Sequence, residues 1–546
     1  MPRTGRRYRT NRADSHYDVI VIGSGIGGLC TAALLSKLGR KVCVLEQHYT
    51  AGGYTHSYER AGYEWDVGVH YIGEVHKPWS MIRRVFDTIS DGNLKWAPMD
   101  PLYDRVMIGD ETYDFVAGED SFKASLTSRF PDEAQAIERY VDYIKTVSSK
   151  VPAFFAGQAL PRPVARLYQK VRRRLLPAYC FQSTRQALEG LTRNQALIGV
   201  LTAQWGDYGL PPSESSFLMH AMVAKHYLTG GNYPVGGASS IAETIIPVIR
   251  AAGGEVFTYA SVEQVLIKGN RAYGVRMANG DELKADAVVS GVGIVPTVKR
   301  LLPESVVRRH GLDRHLQGVR LSASHVCLYV GLKGSASALG IPKTNDWIYP
   351  SFDHDANVAA FRENPDAPMP LVYISFPSAK DPAWDERYPD RATVEVVAPT
   401  NNRLFEKWMG TTWNHRGEDY EVLKEQIAQE LLEVLFKHHP ELRDALDYYE
   451  LSTPLSTRWF QHNEEGEIYG IDHDVQRFEQ GWLHPITPVR DLYLTGSDVV
   501  TAGVGGALMG GVMTACAMLG WRSYQVWQLI RQPDREVTLQ PAPKAS

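Results

Sequence analysis

The apolar run at 19–22 predicts a strand buried on both faces, and the largely apolar stretch 29–38, closed by Gly39, predicts a helix. A second buried strand follows at 41–45, so this region reads as strand, glycine turn, helix and strand. Near the other end of the chain part of that pattern recurs: a strand at 492–495, a glycine-bearing loop, and a helix beginning near Gly505. Between the two blocks a helix is predicted over 239–252, then several short strands with turns at Gly269-Asn270 and Asn279-Gly280. The apolar and aromatic runs HVCLYVGL (325–332) and LVYISFPS (371–378) predict a further sheet.

The glycines of the first block are spaced for a nucleotide. Gly23, Gly25 and Gly28 occupy the G-x-G-x-x-G positions, and Glu46 follows at the end of the second strand. Gly23 permits the sharp turn, Gly25 lets backbone approach a pyrophosphate, and Gly28 lets helix and strand pack closely. Free amides and the positive end of the helix dipole favour phosphate there, and Glu46 suits an adenosine ribose. A second glycine pair, Gly52-Gly53, lies close behind the acid and suits an extended cofactor, FAD rather than NAD. The C-terminal helix start would aim amides at the flavin pyrimidine oxygens, with Asp498 placed for the ribityl chain or pyrophosphate and Val262 for adenine.

Length and charge narrow the remaining classes. A chain of 546 residues exceeds what one hydrophobic core serves, which predicts two domains. A net charge of -4 from 58 basic and 62 acidic residues gives no field suited to nucleic acid. The five cysteines lack metal-ligand spacing and suggest a reducing, cytoplasmic setting with no metal site. Residues 1–14 read as a disordered basic tail without the apolar segment of a secretory signal, and 531–546 as a second disordered tail. No apolar run reaches the length of a conventional transmembrane span.

Taken together, the N-terminal block, the VGGASSIAETI stretch and the C-terminal TGSDVVTAGVGGALMGG resemble the FAD-binding segments of the phytoene desaturase, carotenoid isomerase and retinol saturase superfamily, a relative of the amine oxidases. The phrase GVHYIG (68–73) is most similar to the retinol saturase-like branch. The resemblance implies an α/β fold: a discontinuous Rossmann-like FAD-binding domain of the two-dinucleotide-binding, amine-oxidase-like type, with an inserted α+β substrate domain. The expected division is 15–100, 230–294 and 484–530 for the FAD-binding domain, and 101–229 with 295–483 for the substrate domain. Candidate cofactor contacts are Gly23, Gly25, Gly27, Gly28, Glu46, Gly52, Gly53, Tyr54, Thr55, Gly68, Val262, Gly496, Asp498, Gly505 and Gly506.

In that family the protein supplies orientation, water exclusion and a proton while the flavin does the redox step. The resemblance sets 68–73 beside the ring, making His70 and Tyr71 the first catalytic candidates, either exchanging a proton with a polyene carbon or hydrogen-bonding the flavin. His56 is a further candidate, or part of the cofactor's shell. The implied reaction is saturation, desaturation or cis–trans isomerisation of a carbon–carbon double bond in a carotenoid, a retinoid or an unsaturated fatty-acyl chain. Ser290 to Gly293 end a strand without a following acid, so no second dinucleotide fingerprint is present and an external electron donor or acceptor is expected.

Between Asp142 and Glu189 no acid occurs, while basic residues interleave with Val164, Leu167, Tyr168, Val171 and Leu175 at helical spacing. This predicts a basic amphipathic segment at 150–180, either a peripheral membrane contact or a solvated helix packed on the substrate domain. Trp347, Tyr349, Trp408 and Trp413 either line a substrate tunnel or belong to the core. Two rival functions remain open, a flavin-dependent amine oxidase and a non-catalytic lipid or prenyl escort of the same fold.

Overall fold

Close approach of helix to strand organises the glycine-rich half, and glycine itself permits it. In the computed structural model, which describes residues 4–531, the strand His16–Ile22 leads into the helix Ile26–Lys37 and then the strand Val42–Leu45. A Cβ on Gly28 would sit 2.3 Å from the Gly23 carbonyl oxygen, and one on Gly27 would sit 2.5 Å from Gly496 Cα. The helix Gly503–Leu519 packs along Ile26–Lys37 for the same reason, since a Cβ on Gly511 would lie 2.7 Å from Cys30 Cβ. The segment Gly503–Arg522 is long and apolar enough to cross a membrane, but here half of it is buried against these neighbours as a core helix.

These helices cover an eight-stranded sheet. Its order runs Arg6–Arg7, Glu255–Thr258, Val42–Leu45, His16–Ile22, Glu282–Ser290, Arg271–Met277 and Val262–Lys268, with Leu492–Leu494 also pairing with Glu282–Ser290. The helix Ser239–Ala251 packs against Ile26–Lys37, so three stretches far apart in sequence close one layered unit.

A second, seven-stranded sheet runs Leu446–Ser452, Ser324–Lys333, Arg391–Thr400, Val372–Ser375, Asn345–Tyr349, Leu102–Ile108 and Glu111–Val116. Strand alternation divides the labour on Ser324–Lys333. Val326, Leu328, Val330 and Leu332 join a core with Leu431 and Leu435 of the helix Glu418–His438, while His325 and Cys327 point the other way, into a cavity.

Several expectations change. From Thr4 onward the basic N-terminus is not a disordered tail. Arg6–Arg7 pairs in parallel with Phe257 and Thr258, and the Tyr8 hydroxyl donates to Asp281 at 2.8 Å. Sheet-edge backbone pairing needs no apolar side chains, so polarity concealed this strand. The other tail, from 532, lies outside the described residues.

Trp347, Tyr349, Trp408 and Trp413 are not among the cavity-lining residues. Trp347 and Tyr349 are buried in the larger core, Trp408 is buried against Tyr420, and Trp413 packs on Phe460.

The acid-free basic stretch recruits its counter-charges from elsewhere: Arg185 pairs with Asp353 and Asp355, Arg173 with Glu479, and Lys145 with Glu119. Arg172 is buried, donating to the Phe478 and Gln480 carbonyls at 2.8 and 3.2 Å.

Candidate functional site

A cavity of about 720 Å³ lies between the two halves, and its walls begin at the glycine turn. Gly23, at φ +91°, donates its amide to the Leu45 carbonyl at 2.9 Å, and the helix Ile26–Lys37 then starts at Gly25 without a side-chain cap. An ideal Cβ on Gly25 meets nothing within 4 Å, so this backbone borders open space. Unsatisfied first-turn amides beside open space form an anion site.

The acid behind the turn is held firmly. Glu46 accepts from the Ser24 amide and hydroxyl at 2.9 and 2.7 Å and from the His48 amide at 2.8 Å, and Ser24 Oγ in turn accepts from the Gly52 amide at 3.0 Å. Ser24 thus ties the first glycine loop to the second, a clamp that the glycine spacing alone does not announce. A Cβ on Gly53, at φ +57°, would sit 2.8 Å from Gly25 Cα, so both loops depend on the missing side chain.

Across the cavity the helix Gly503–Leu519 also begins without a side-chain cap, behind Gly503 at φ +79°. Asp498 accepts from the Ile294 amide through Oδ2 at 2.7 Å, while its Oδ1 is buried with no hydrogen-bond partner. Two uncapped helix starts, an open glycine and a carboxylate oxygen that accepts no hydrogen bond and lies 4.0 Å from Arg477 fit an extended nucleotide cofactor with charged and hydroxylated parts.

Most predicted contacts meet here. Gly23, Gly25, Gly27, Glu46, Gly53, Tyr54, Thr55, Gly68, Val262, Gly496, Asp498, Gly505 and Gly506 line this cavity, as do His70 and Tyr71. Gly28, Gly52 and His56 are not among its lining residues. Gly28 faces the strand, Gly52 supports Ser24, and His56 turns its Nδ1 to the Gly53 carbonyl with its ring 4.7 Å from that of His48.

His70 and Tyr71 each rest on a buried acid that local sequence does not connect to them. His70 Nδ1 is 2.9 Å from Glu395 Oε2, and Glu395 Oε1 accepts from the Asp66 amide at 2.7 Å. Lys380 Nζ, also buried, donates to the His70 carbonyl at 3.1 Å, to Ser375 Oγ at 2.8 Å and to Asn345. The Tyr71 hydroxyl donates to Asp104 at 2.9 Å, and its ring stacks on Tyr227 at 4.1 Å.

Burial, and then the charge of Lys380, pushes His70 down to about 3, so its imidazole is neutral at neutral pH. Burial lifts Glu395 to about 8 and lowers Lys380 to about 7. The carboxyl therefore keeps its proton near neutrality and can donate it to His70 Nδ1. One signal for Glu395 stood in the sequence, a single acid inside the apolar run TVEVVA. No local pattern marks Lys380.

Residues 21–88 match the NAD(P)-binding Rossmann-like domain, the part holding both glycine loops. The all-trans-retinol 13,14-reductase of Danio rerio is 35% identical over 533 residues, covering 94% of this chain and 87% of that protein. The chain belongs to the all-trans-retinol 13,14-reductase family. A prolycopene isomerase from an Oncidium hybrid cultivar is 26% identical over 91% of the chain and 83% of its own length. The solved cyclohexylamine oxidase from Brevibacterium oxydans superposes with a TM-score of 0.58 at 16% identity, over 95% of this chain and all of that one, which establishes a common fold. Membership of the reductase family spans both sheets, so the cavity walls and the glycine cradle belong to one shared architecture.

Proposed function

We propose that this reductase-family protein binds FAD and adds hydrogen across a carbon–carbon double bond of an apolar polyene. The observation that carries the reading is the meeting, in one cavity, of the nucleotide cradle with the His70–Glu395 pair. FAD, when bound and reduced by an external electron donor, supplies a hydride equivalent to one carbon of the double bond. The chain supplies the proton for the other carbon. Glu395, protonated and hydrogen-bonded to Nδ1, sets the His70 tautomer so that Nε2 bears the hydrogen available to the cavity. As that hydrogen passes to carbon, Nδ1 takes the Glu395 proton, and no buried imidazolium need form. Lys380 and the Asp66 amide hold the pair in place.

The test is spectroscopic. Anaerobically reduced protein mixed with all-trans-retinol is expected to regain the oxidised flavin bands while the polyene absorbance shortens in wavelength. Failure of every retinoid and carotenoid to reoxidise the flavin would sink the reading.

We further propose a peripheral membrane contact beside the cavity. Val164, Leu167 and Val171 are exposed on the helix Arg162–Arg172, and Met81, which lines the cavity, is 43% exposed next to Trp79 at 70%. Such apolar groups flanked by cations suit an anionic bilayer surface. Arg172 and Arg173 are engaged within the protein, so the relevant cations are Arg166, Lys170 and Arg174. Reversing these three to glutamate should weaken binding to anionic vesicles by more than about a hundredfold, since loss of the three cations alone is worth about 1 kcal/mol each. Unchanged co-sedimentation would remove this contact.

A further inference from the structure

Among the described residues, three side chains lining the cavity carry a buried polar atom without a hydrogen-bond partner: Asp498 Oδ1, His325 Nδ1 and Asp207 Oδ2. Asp498 belongs to the cofactor cradle, and His325 shares a strand and a cavity wall with Cys327, close enough to His70 for the two rings to influence each other's titration. Asp207 belongs to neither group. An unsatisfied buried carboxyl oxygen costs about 1–3 kcal/mol, so its persistence calls for a partner.

The surroundings of Asp207 point to the kind of partner. It ends the short helical turn Ala203–Asp207, which is pinned by the Tyr469 hydroxyl donating to the Gly206 carbonyl at 2.9 Å and by the Tyr349 hydroxyl donating to Ala203. Tyr71, Tyr227 and Tyr469, all cavity-lining, lie close enough for their hydroxyls to interact electrostatically with it, so its neighbourhood is largely aromatic. Asp104 makes the contrast clear. Its carboxylate is saturated by donors from Tyr71, Gln204 and Asn345, each at 2.9 Å, whereas Asp207 Oδ2 has none.

Burial, reinforced by Asp104, holds the Asp207 carboxyl well above the usual carboxylate range, which favours its neutral form. A neutral acid both donates and accepts a hydrogen bond, as does an alcohol. The pairing needs no buried charge, whereas an ammonium ligand would bring a charge into this aromatic surrounding, at the cost of stripping it of water.

We propose that Asp207 anchors the terminal hydroxyl of the polyene, so that the cavity selects polyene alcohols over polyene hydrocarbons. The inference rests on the cavity being a polyene site. It adds which side chain holds the hydroxyl end, and that this contact fixes which double bond is presented to His70.

The test compares all-trans-retinol, its hydrocarbon analogue lacking the hydroxyl, and the corresponding primary amine, on the flavin-loaded wild type and on Asp207→Leu and Asp207→Asn. Affinity is read from quenching of protein fluorescence and, separately, KM from turnover. The wild type should bind the alcohol about tenfold to a hundredfold more tightly than the hydrocarbon, the range one well-placed buried hydrogen bond supports. Asp207→Leu should lose that preference with hydrocarbon affinity and flavin content unchanged, and Asp207→Asn, which keeps a donor and an acceptor, should restore part of it. An alcohol preference that survives in Asp207→Leu overturns the proposal, as does tighter binding of the amine than of the alcohol. Because binding is read apart from turnover, an Asp207-dependent preference without any reduction would uphold the anchor and reject the reductase reading. Reduction indifferent to Asp207 would do the reverse.

Discussion

Replacing Gly25 with tryptophan is expected to yield a folded, colourless protein. The position separates cofactor binding from folding because an ideal Cβ there meets nothing within 4 Å, and its φ of -57° suits any residue. The indole would project into the space before the uncapped helix start, where the phosphates of the proposed cofactor would sit. Flavin affinity should fall at least about a hundredfold, equivalent to about 2.7 kcal/mol. Far-ultraviolet circular dichroism and the apo-protein melting temperature should stay unchanged. The neighbouring Gly27 offers no such separation, since its Cβ would collide with Gly496 backbone and disturb helix packing. A yellow Gly25→Trp protein would refute the cradle assignment. A wild type that is colourless yet binds lipid would support the escort alternative.

The second large effect concerns proton delivery. His70→Phe should retain flavin yet lose about a hundredfold to ten-thousandfold in turnover, the usual scale for removing a positioned general acid. Retained turnover would leave His70 as a flavin contact only.

Glu395 makes the pH dependence specific. Its ionisable neighbours include His70, Lys380, Asp66, Cys327, Tyr233 and Tyr329. Burial raises the Glu395 carboxyl to about 8, so the proton it passes to Nδ1 is present below that pH and lost above it. Turnover should accordingly decline as pH rises through about 8. Glu395→Gln keeps a donor to Nδ1 but has no proton to release, so it should lower kcat and abolish that alkaline decline while leaving KM nearly constant. An unaltered alkaline decline in Glu395→Gln would assign the titration to another group, with Lys380, lowered by burial to about 7, the first to examine.

The fold comparison bears on the amine oxidase alternative. Likeness to cyclohexylamine oxidase at 16% identity speaks for architecture, while 35% identity over 94% of the chain ties this protein to the retinol reductases.

How much could be read in advance differs by element. Gly23, Gly25, Gly28 and Glu46 were legible because turn geometry, helix start and strand end fall within one short stretch and obey fixed spacings. The helix Ser239–Ala251 and the strand hairpins after it followed from periodicity and turn residues in the same way. The strand Arg6–Arg7 was not legible, since it depends on the free edge of Glu255–Thr258, some 250 positions away. Arg185 looked uncompensated for a related reason, as Asp353 and Asp355 reach it only in three dimensions.

The sequence by itself determined the nucleotide cradle, the two-part architecture and the family, because these rest on local spacing and on long stretches of similarity. Tertiary structure alone decided which side chains can act. Glu395 lies 325 positions from His70, Lys380 lies 310, and Asp207 acquires its meaning from Asp104 and three tyrosines drawn from separate stretches of the chain. Protonation follows burial and through-space charge, and neither quantity exists until the chain has folded.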